Sequence, residues 1–310
     1  MSEMHPSLIT AAVTPFTAGE KSIDEAALKR LFVHLVNTGS EGILVHGTTG
    51  EGPCLTLEEK KYLIAFTRTF ADEQLSPLHI MAGVGGNNTL ETCEHVRDLL
   101  DQDAKPDSIL ISSPHYSKPT QAGMVAHFIA VADVAEDIPI VLYNIPGRTG
   151  GQGIDPATMK AVYDARPQQF IGVKQSIACM DTVSKIIQLL PPESTQFRVW
   201  SGDDSLTLPM MSLGAVGAIS VSSHLVGDAM SQMIAAHHAG HVIQARLHHQ
   251  KAFPVMNGLF TVTNPLLVKS AMAQLLDFSP QCRLPMLVEA KHQVMASSIL
   301  SLSCDTVSIM

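Results

Sequence analysis

Short runs rich in β-branched and other apolar residues recur along the chain, each followed by a longer stretch with apolar positions at helical spacing. The runs are Leu8–Val13, Gly42–Val45, Leu78–Gly83, Ser108–Ser112, Pro139–Tyr143, Phe170–Lys174, Phe197–Gly202 and Ala218–Ser222. Within each run the apolar residues are nearly continuous, as in strands covered on both faces. Eight such strands, each leading into a helix, close a parallel (β/α)8 barrel, the TIM barrel of the α/β class. The intervening segments carry helix-start signals. Ser22-Ile-Asp-Glu25 and Thr56-Leu-Glu-Glu59 have capping-box spacing, in which hydroxyl and carboxylate satisfy opposite orphan amides. Asp155-Pro156 sets a capping carboxylate before a proline at the first helical position. Leu28, Leu31, Phe32 and Leu35 form one stripe of the first helix.

From about Gly227 the pattern becomes helix after helix, with Pro265 and Pro285 marking expected helix starts. This divides the chain into a barrel over residues 1–240, carrying the active site, and a small helical C-terminal extension over 241–310. No Gly/Ser linker separates them, so the extension is expected to pack on the barrel. A length of 310 residues suits one large barrel with an appendage.

Composition narrows the function classes. The net charge is −9, with no cluster of five basic residues, which argues against nucleic acid and anionic membrane as partners. No uncharged apolar stretch reaches the ~18 residues of a membrane span. The start, MSEMHPSLIT, lacks the basic and apolar regions of a secretory leader. Cys54, Cys93, Cys179, Cys282 and Cys304 are scattered without a CxxC pair, so reduced thiols in the cytoplasm are expected. His237 and His241 have i, i+4 spacing but no acidic or cysteine companion at ligand spacing; a polar helix face is expected, and no metal. Gly83-Val-Gly-Gly-Asn-Asn88 lacks the full dinucleotide fingerprint and reads as a turn. The 15 methionines read as core filler.

In such a barrel, chemistry sits at the C-terminal ends of the strands. Lys174 ends the apolar strand Phe170-Ile-Gly-Val173. A lysine there is a snorkelling side chain, half of an ion pair, or a desolvated amine whose lowered pKa lets it attack a ketone and form an imine. Tyr143 ends the preceding strand; its phenol is a proton relay or a core tyrosine satisfied by backbone. Thr48 and Thr49 stand in a glycine-flanked turn that suits a carboxylate or is purely structural; no Gly-Lys-Ser/Thr makes it a P-loop. Arg148, between Gly147 and Thr149, is a carboxylate clamp or a solvated surface residue.

Together these residues resemble the dihydrodipicolinate synthase family of the N-acetylneuraminate lyase superfamily. The resemblance rests on Gly47-Thr-Thr-Gly-Glu51, Tyr143-Asn-Ile-Pro-Gly-Arg-Thr-Gly150, Lys174, Ser201-Gly-Asp-Asp204, Gly217-Ala-Ile-Ser220, and Asn264-Pro265 with Val268-Lys269. It runs from about Val13-Thr-Pro-Phe16 to about residue 290. It implies a pyruvate-dependent lyase in which Lys174 forms a Schiff base with pyruvate, without metal or organic cofactor. Tyr143, Thr48 and Tyr116 would form the proton relay, Tyr116 serving a neighbouring subunit of a homotetramer built as a dimer of dimers. Thr49 would bind the pyruvate carboxylate, with backbone contacts from Gly202 and Ile219, and Arg148 would hold the carboxylate of the aldehyde. The implied partner substrate is L-aspartate 4-semialdehyde, a step toward lysine and diaminopimelate; the alternative is a sugar-acid-like substrate of a related aldolase or dehydratase. Asn87 and Glu91 match positions that contact lysine in inhibited members, but His115 stands where those carry tyrosine, so inhibition by L-lysine is expected to be weak. Gln175-Ser176 departs from the acidic residue and alanine usual after the lysine, and Gly52-Pro53-Cys54 from the usual small polar residues.

Overall fold

A computed structural model describes residues 6–74 and 77–307, with side chains of the last helix described as far as Ser303. The first five residues of the supposed leader-free start, and the Cys304 thiol, lie outside the described residues. Eight parallel strands close a barrel in chain order: β1 (Leu8–Ala11), β2 (Gly42–Val45), β3 (His79–Val84), β4 (Ser108–Ser112), β5 (Ile140–Asn144), β6 (Phe170–Gln175), β7 (Arg198–Ser201) and β8 (Gly217–Ser220). The helices after β1 to β4 are α1 (Glu25–Asn37), α2 (Leu57–Glu73), α3 (Thr89–Leu100) and α4 (Gln121–Ala132). Those after β5 to β8 are α5 (Pro156–Ala165), α6 (Met180–Leu189), the short α7 (Thr207–Met211) and α8 (Ser223–His238). Three more helices follow, α9 (Val242–Gly258), α10 (Leu266–Leu276) and α11 (Ala290–Val307).

Local signals account for several helix starts. Thr56 and Glu59 form the reciprocal capping box of α2, and α5 begins with Pro156 at its first position, although the Asp155 carboxylate makes no capping hydrogen bond. The cap of α1 is instead Asp24, whose carboxylate accepts from the Ala27 amide at 2.9 Å, while the Ser22 hydroxyl lies against Thr17. Asp and Ser cap about equally well, so spacing alone could not choose between them. Pro285 starts no helix; it lies in a turn, and α11 begins at Ala290. His237 and His241 share no helix face, because α8 ends at His238 and the chain turns through Gly240 at φ 77°.

The core has two layers. One side chain or more from every strand fills the barrel: Ile9, Ala11, Leu44, Met81, Leu110, Val141, Ile171, Trp200 and Ile219. Trp200 is the bulkiest of them, its indole N–H donating to the Pro6 carbonyl at 2.8 Å. The larger layer lies between strands and helices and includes the predicted α1 stripe. Packing inside fixes Gly172, where a Cβ would stand 2.2 Å from the Arg198 carbonyl oxygen and 2.6 Å from the Trp200 ring. A register shift between β5 and β6 pairs Ile140 with Phe170 but Val141 with Gly172. The extra residue, Ile171, resets the alternation, so Ile171 and Lys174 both point inward while Phe170 and Val173 face the helices.

The C-terminal helices are bound to the barrel by packing and by a buried polar knot. Helix α9 lies along α8, and α11 packs on α9 and α10. Glu51, at φ 57° in the loop after β2, accepts from the Lys269 ammonium of α10 at 2.5 Å, and both side chains are fully buried. Its second oxygen accepts from the Arg283 backbone N–H at 2.7 Å. The Arg283 guanidinium makes a two-pronged bond to Glu59 at 2.6 and 2.5 Å. Glu59 thus caps α2 and anchors the distant segment at once, and Arg283 holds its carboxyl below the usual range. Lys269 Nζ and Arg283 Cζ both lie over the Phe16 ring, 4.1 and 4.3 Å from its centroid. Burial draws the Lys269 pKa down against the pull of Glu51. Removing one partner of such a pair strands a buried charge, at a cost of about 3–5 kcal/mol. Lys269→Met is therefore expected to destabilise the protein by about that amount in urea unfolding, and Lys269→Met with Glu51→Gln by clearly less. Equal losses in the two variants would show that packing, not charge, holds α10 in place.

Candidate active site

The strand ends meet at one mouth, and the loop after β2 makes a tight turn there. His46 (φ 39°) leads into Gly47-Thr-Thr-Gly-Glu51-Gly52, closed by Gly52 N–H donating to the Gly47 carbonyl at 3.0 Å. At Gly52 a Cβ would stand 2.0 Å from the His46 carbonyl oxygen, so the turn excludes any larger residue. Thr49 is buried, and its Oγ accepts from Asn264 Nδ2 at 3.0 Å. With a lone pair engaged in this way, the Thr49 hydroxyl keeps its proton free to donate.

Lys174 is 4% exposed, which removes the snorkelling reading. No carboxylate among the described residues pairs with it, in contrast to the paired Lys269. Its Nζ lies 4.7 Å from the centroid of Tyr143, its partner in the strand register. Gly202, the residue after β7, presses on its stem. A Cβ there would lie 2.0 Å from Ser176 Oγ and 2.9 Å from Lys174 Cγ. Arg148 extends over the mouth, and its Nη2 donates to the Asn264 carbonyl at 3.3 Å.

Thr48, Thr49, Tyr143, Arg148, Lys174 and Gly202 all line one compact cavity of about 60 Å³, closed by Val221, Phe260 and Asn264. Two expected members lie elsewhere. Ile219 is buried in the inner barrel layer and does not line the cavity; Val221, two residues on, occupies that wall, because the mouth lies one pleat beyond Ile219. Tyr116 is 86% exposed in the loop after β4, its amide donating to Asn87 Oδ1 at 2.6 Å, and it lines neither cavity of its own chain. Asn264 was legible only as part of a motif; its contact with Thr49 joins residues 215 apart in sequence. Gln175 and Ser176 line neither cavity. The Gln175 amide oxygen instead accepts from Asn144 Nδ2 at 2.9 Å, and Asn144 in turn receives the Ile154 amide at 2.9 Å.

A second, larger cavity of about 460 Å³ adjoins the first and shares Thr48, Tyr143 and Arg148 with it. Its outer part is lined by His46, Lys60, Asn87, His95 and His115. Burial pushes the His46 pKa down to about 3 and lowers those of Lys60, His95 and His115. Among the described residues no group of three or more His, Cys, Asp or Glu side chains is placed to hold a metal ion. No helix of the described residues is long and apolar enough to cross a membrane.

A parallel eight-stranded barrel with a buried, carboxylate-free lysine at its mouth is the architecture of a Schiff-base-forming lyase. The chain belongs to the dihydrodipicolinate synthetase family, whose model matches residues 4–301. It is 43% identical over 293 residues to the 4-hydroxy-tetrahydrodipicolinate synthase of Heliobacterium modesticaldum, covering 94% of this chain and 92% of that one. The structure of the 4-hydroxy-tetrahydrodipicolinate synthase from Methylacidiphilum fumariolicum superposes with a TM-score of 0.90 at 33% identity, covering 98% of each chain. That of a dihydrodipicolinate synthase from Bacillus anthracis superposes at 0.86 and 35% identity, covering 96% of this chain and 97% of that one.

Proposed function

We propose that the protein condenses pyruvate with L-aspartate 4-semialdehyde to 4-hydroxy-tetrahydrodipicolinate through an imine on Lys174. The observation that carries this reading is the buried, carboxylate-free Lys174 in a cavity that also presents Thr48, Thr49 and Tyr143. The Lys174 amine adds to the pyruvate ketone and water leaves, giving the imine. Loss of a methyl proton gives the enamine, whose carbon attacks the aldehyde carbonyl. Tyr143 and Thr48 carry protons between these steps, with Tyr116 of a neighbouring subunit completing the relay. The amino group of the semialdehyde then displaces Lys174 as the ring closes, and the free amine is restored. Thr49, oriented by Asn264, donates to the pyruvate carboxylate, and Gly202 leaves room for the Lys174 stem. Arg148 receives the carboxylate of the incoming aldehyde.

This reading assigns the barrel, residues 1–240, the reacting groups, and the extension, 241–310, the support of Thr49 and Arg148 through Asn264. It makes the protein a cytoplasmic homotetramer, a dimer of dimers, that does not bind nucleic acid, in keeping with the net charge of −9. The exposed Tyr116 ring is what an exchanged residue looks like in a single chain.

Borohydride reduction in the presence of pyruvate is expected to leave a stable adduct on the peptide carrying Lys174, read by mass spectrometry. Labelling that persists in Lys174→Ala would refute the assignment. Arg148→Ala is expected to lower kcat/KM for aspartate semialdehyde by ~10–100-fold, the loss of a charge-assisted pair, and to change a neutral aldehyde of similar size much less. Equal losses on both would make Arg148 structural, and turnover of a sugar acid in place of the semialdehyde would point to the related aldolases. Sedimentation is expected to show a tetramer, and Tyr116→Phe to slow turnover without dissociating it. A fully active monomer would exclude an exchanged tyrosine.

A further inference from the structure

Two walls of the cavity around Lys174 come from neighbouring strand ends. Gly202, after β7, backs the lysine stem, and Val221, after β8, closes the space. The β7–β8 ladder stops at Ser201 with Ala218, short of both residues, and the β8–β1 ladder stops at Ser220 with Thr10. Strand pairing therefore does not fix how far apart these walls stand. By contrast, Ala11, Leu44 and Leu110 of the same cavity lie within strands.

Asp204 supplies the missing link. It is buried two residues beyond Gly202, and its Oδ2 accepts the Val221 N–H at 3.0 Å and the Ser222 N–H at 2.6 Å. The path from Gly202 to Asp204 is braced in turn. Ser201 Oγ donates to the Asp203 carbonyl at 2.6 Å, and Ser205 Oγ to Asp203 Oδ1 at 2.9 Å. Burial raises the Asp204 pKa, against the pull of the Ser222 and Val221 amides and the neighbouring hydroxyls. The other end of Val221 is tied toward β1. Its carbonyl meets His224 Nδ1 at 2.8 Å, while His224 Nε2 accepts the Val13 amide at 3.2 Å. An accepting Nε2 places the proton on Nδ1, and burial, which brings the ring pKa down to about 4, keeps it neutral.

We propose that Asp204 is a positioning residue that sets the width of the Lys174 cavity and, through the Val221 wall, favours pyruvate over longer 2-oxo acids. The proposal rests on the imine at Lys174. Asp204 lines neither cavity, so it acts through Val221 and not on the substrate. Its task requires an acceptor oxygen and not a charge, so an amide can perform it. Without that oxygen two buried N–H groups lose their partner, and the 221–222 peptide leaves its place to find another. In a cavity of about 60 Å³ the extra methylene of 2-oxobutyrate then meets a wall that yields.

Borohydride trapping on the full chain, titrated with pyruvate or with 2-oxobutyrate and read by intact mass, tests this. No aldehyde is present, so Arg148 takes no part. Wild type is expected to half-saturate with pyruvate at a concentration roughly tenfold or more below that for 2-oxobutyrate, the usual worth of one methylene in a fitted site. Asp204→Ala and Asp204→Leu are expected to raise the pyruvate value several-fold and the 2-oxobutyrate value less, so that discrimination narrows. Asp204→Asn is expected to keep it. Val221→Ala moves the same wall with Asp204 intact and is expected to narrow discrimination too, whatever the Asp204 variants do to folding. Thermal unfolding of each variant separates lost stability from altered selectivity. The proposal is overturned if folded Asp204→Leu keeps the wild-type discrimination, if Asp204→Asn narrows it, or if Val221→Ala leaves it unchanged. Wild type that traps no pyruvate overturns it together with the imine reading; trapping in wild type with any of the other three outcomes overturns it alone.

Discussion

A carboxylate buried in a tight turn must find a cation, and in this protein that requirement shapes the mouth of the barrel. Glu51 sits in the turn that carries Thr48 and Thr49, and its charge is met by Lys269, 218 residues further along the chain. Pairing the two fixes α10 against the loop after β2. Once α10 is in place, the residues just before it are in place as well, and Asn264 arrives beside Thr49 and under Arg148. The ion pair is not itself a source of much stability, since desolvation offsets most of the attraction. Its consequence is positional: any arrangement that separates the partners leaves a buried charge alone, and few alternatives survive that penalty.

A second constraint acts from below. Trp200 fills the barrel and leaves no room for a side chain at residue 172, and the extra residue in β6 shifts the pleat by one position. Uninterrupted alternation from Phe170 would have sent Lys174 toward the helices. The bulge turns it inward instead, between Tyr143 and Gly202. The same strand carries Gln175 on the opposite side, where it pairs with Asn144. The residue that departs from the family pattern is therefore one pleat removed from the reacting space, and its effect on the substrate is indirect.

The two cavities share a wall but differ in what they ask of a ligand. Around Lys174 the polar groups are hydroxyls, the Asn264 amide, the Arg148 guanidinium and the lysine amine, in a small space. In the outer cavity a cation and neutral imidazoles surround a larger one. Thr48, Tyr143 and Arg148 line both.

Much of this was legible in the chain itself. Continuous apolar runs mark strands buried on both faces, and their number, with the helical spacing between them, sets the barrel. Strand ends located Thr48, Thr49, Tyr143, Arg148, Lys174 and Gly202 at one mouth, because hydrophobic periodicity and glycine-rich turns are local properties. Caps were legible to within a choice of neighbouring residues, as Ser22 and Asp24 show. What the sequence could not settle depends on partners distant along the chain. The inward turn of Lys174 follows from its pairing with β5, the placement of Asn264 from an ion pair formed across the whole barrel, and the place of the Val221 side chain at the cavity wall from the height of the packed interior.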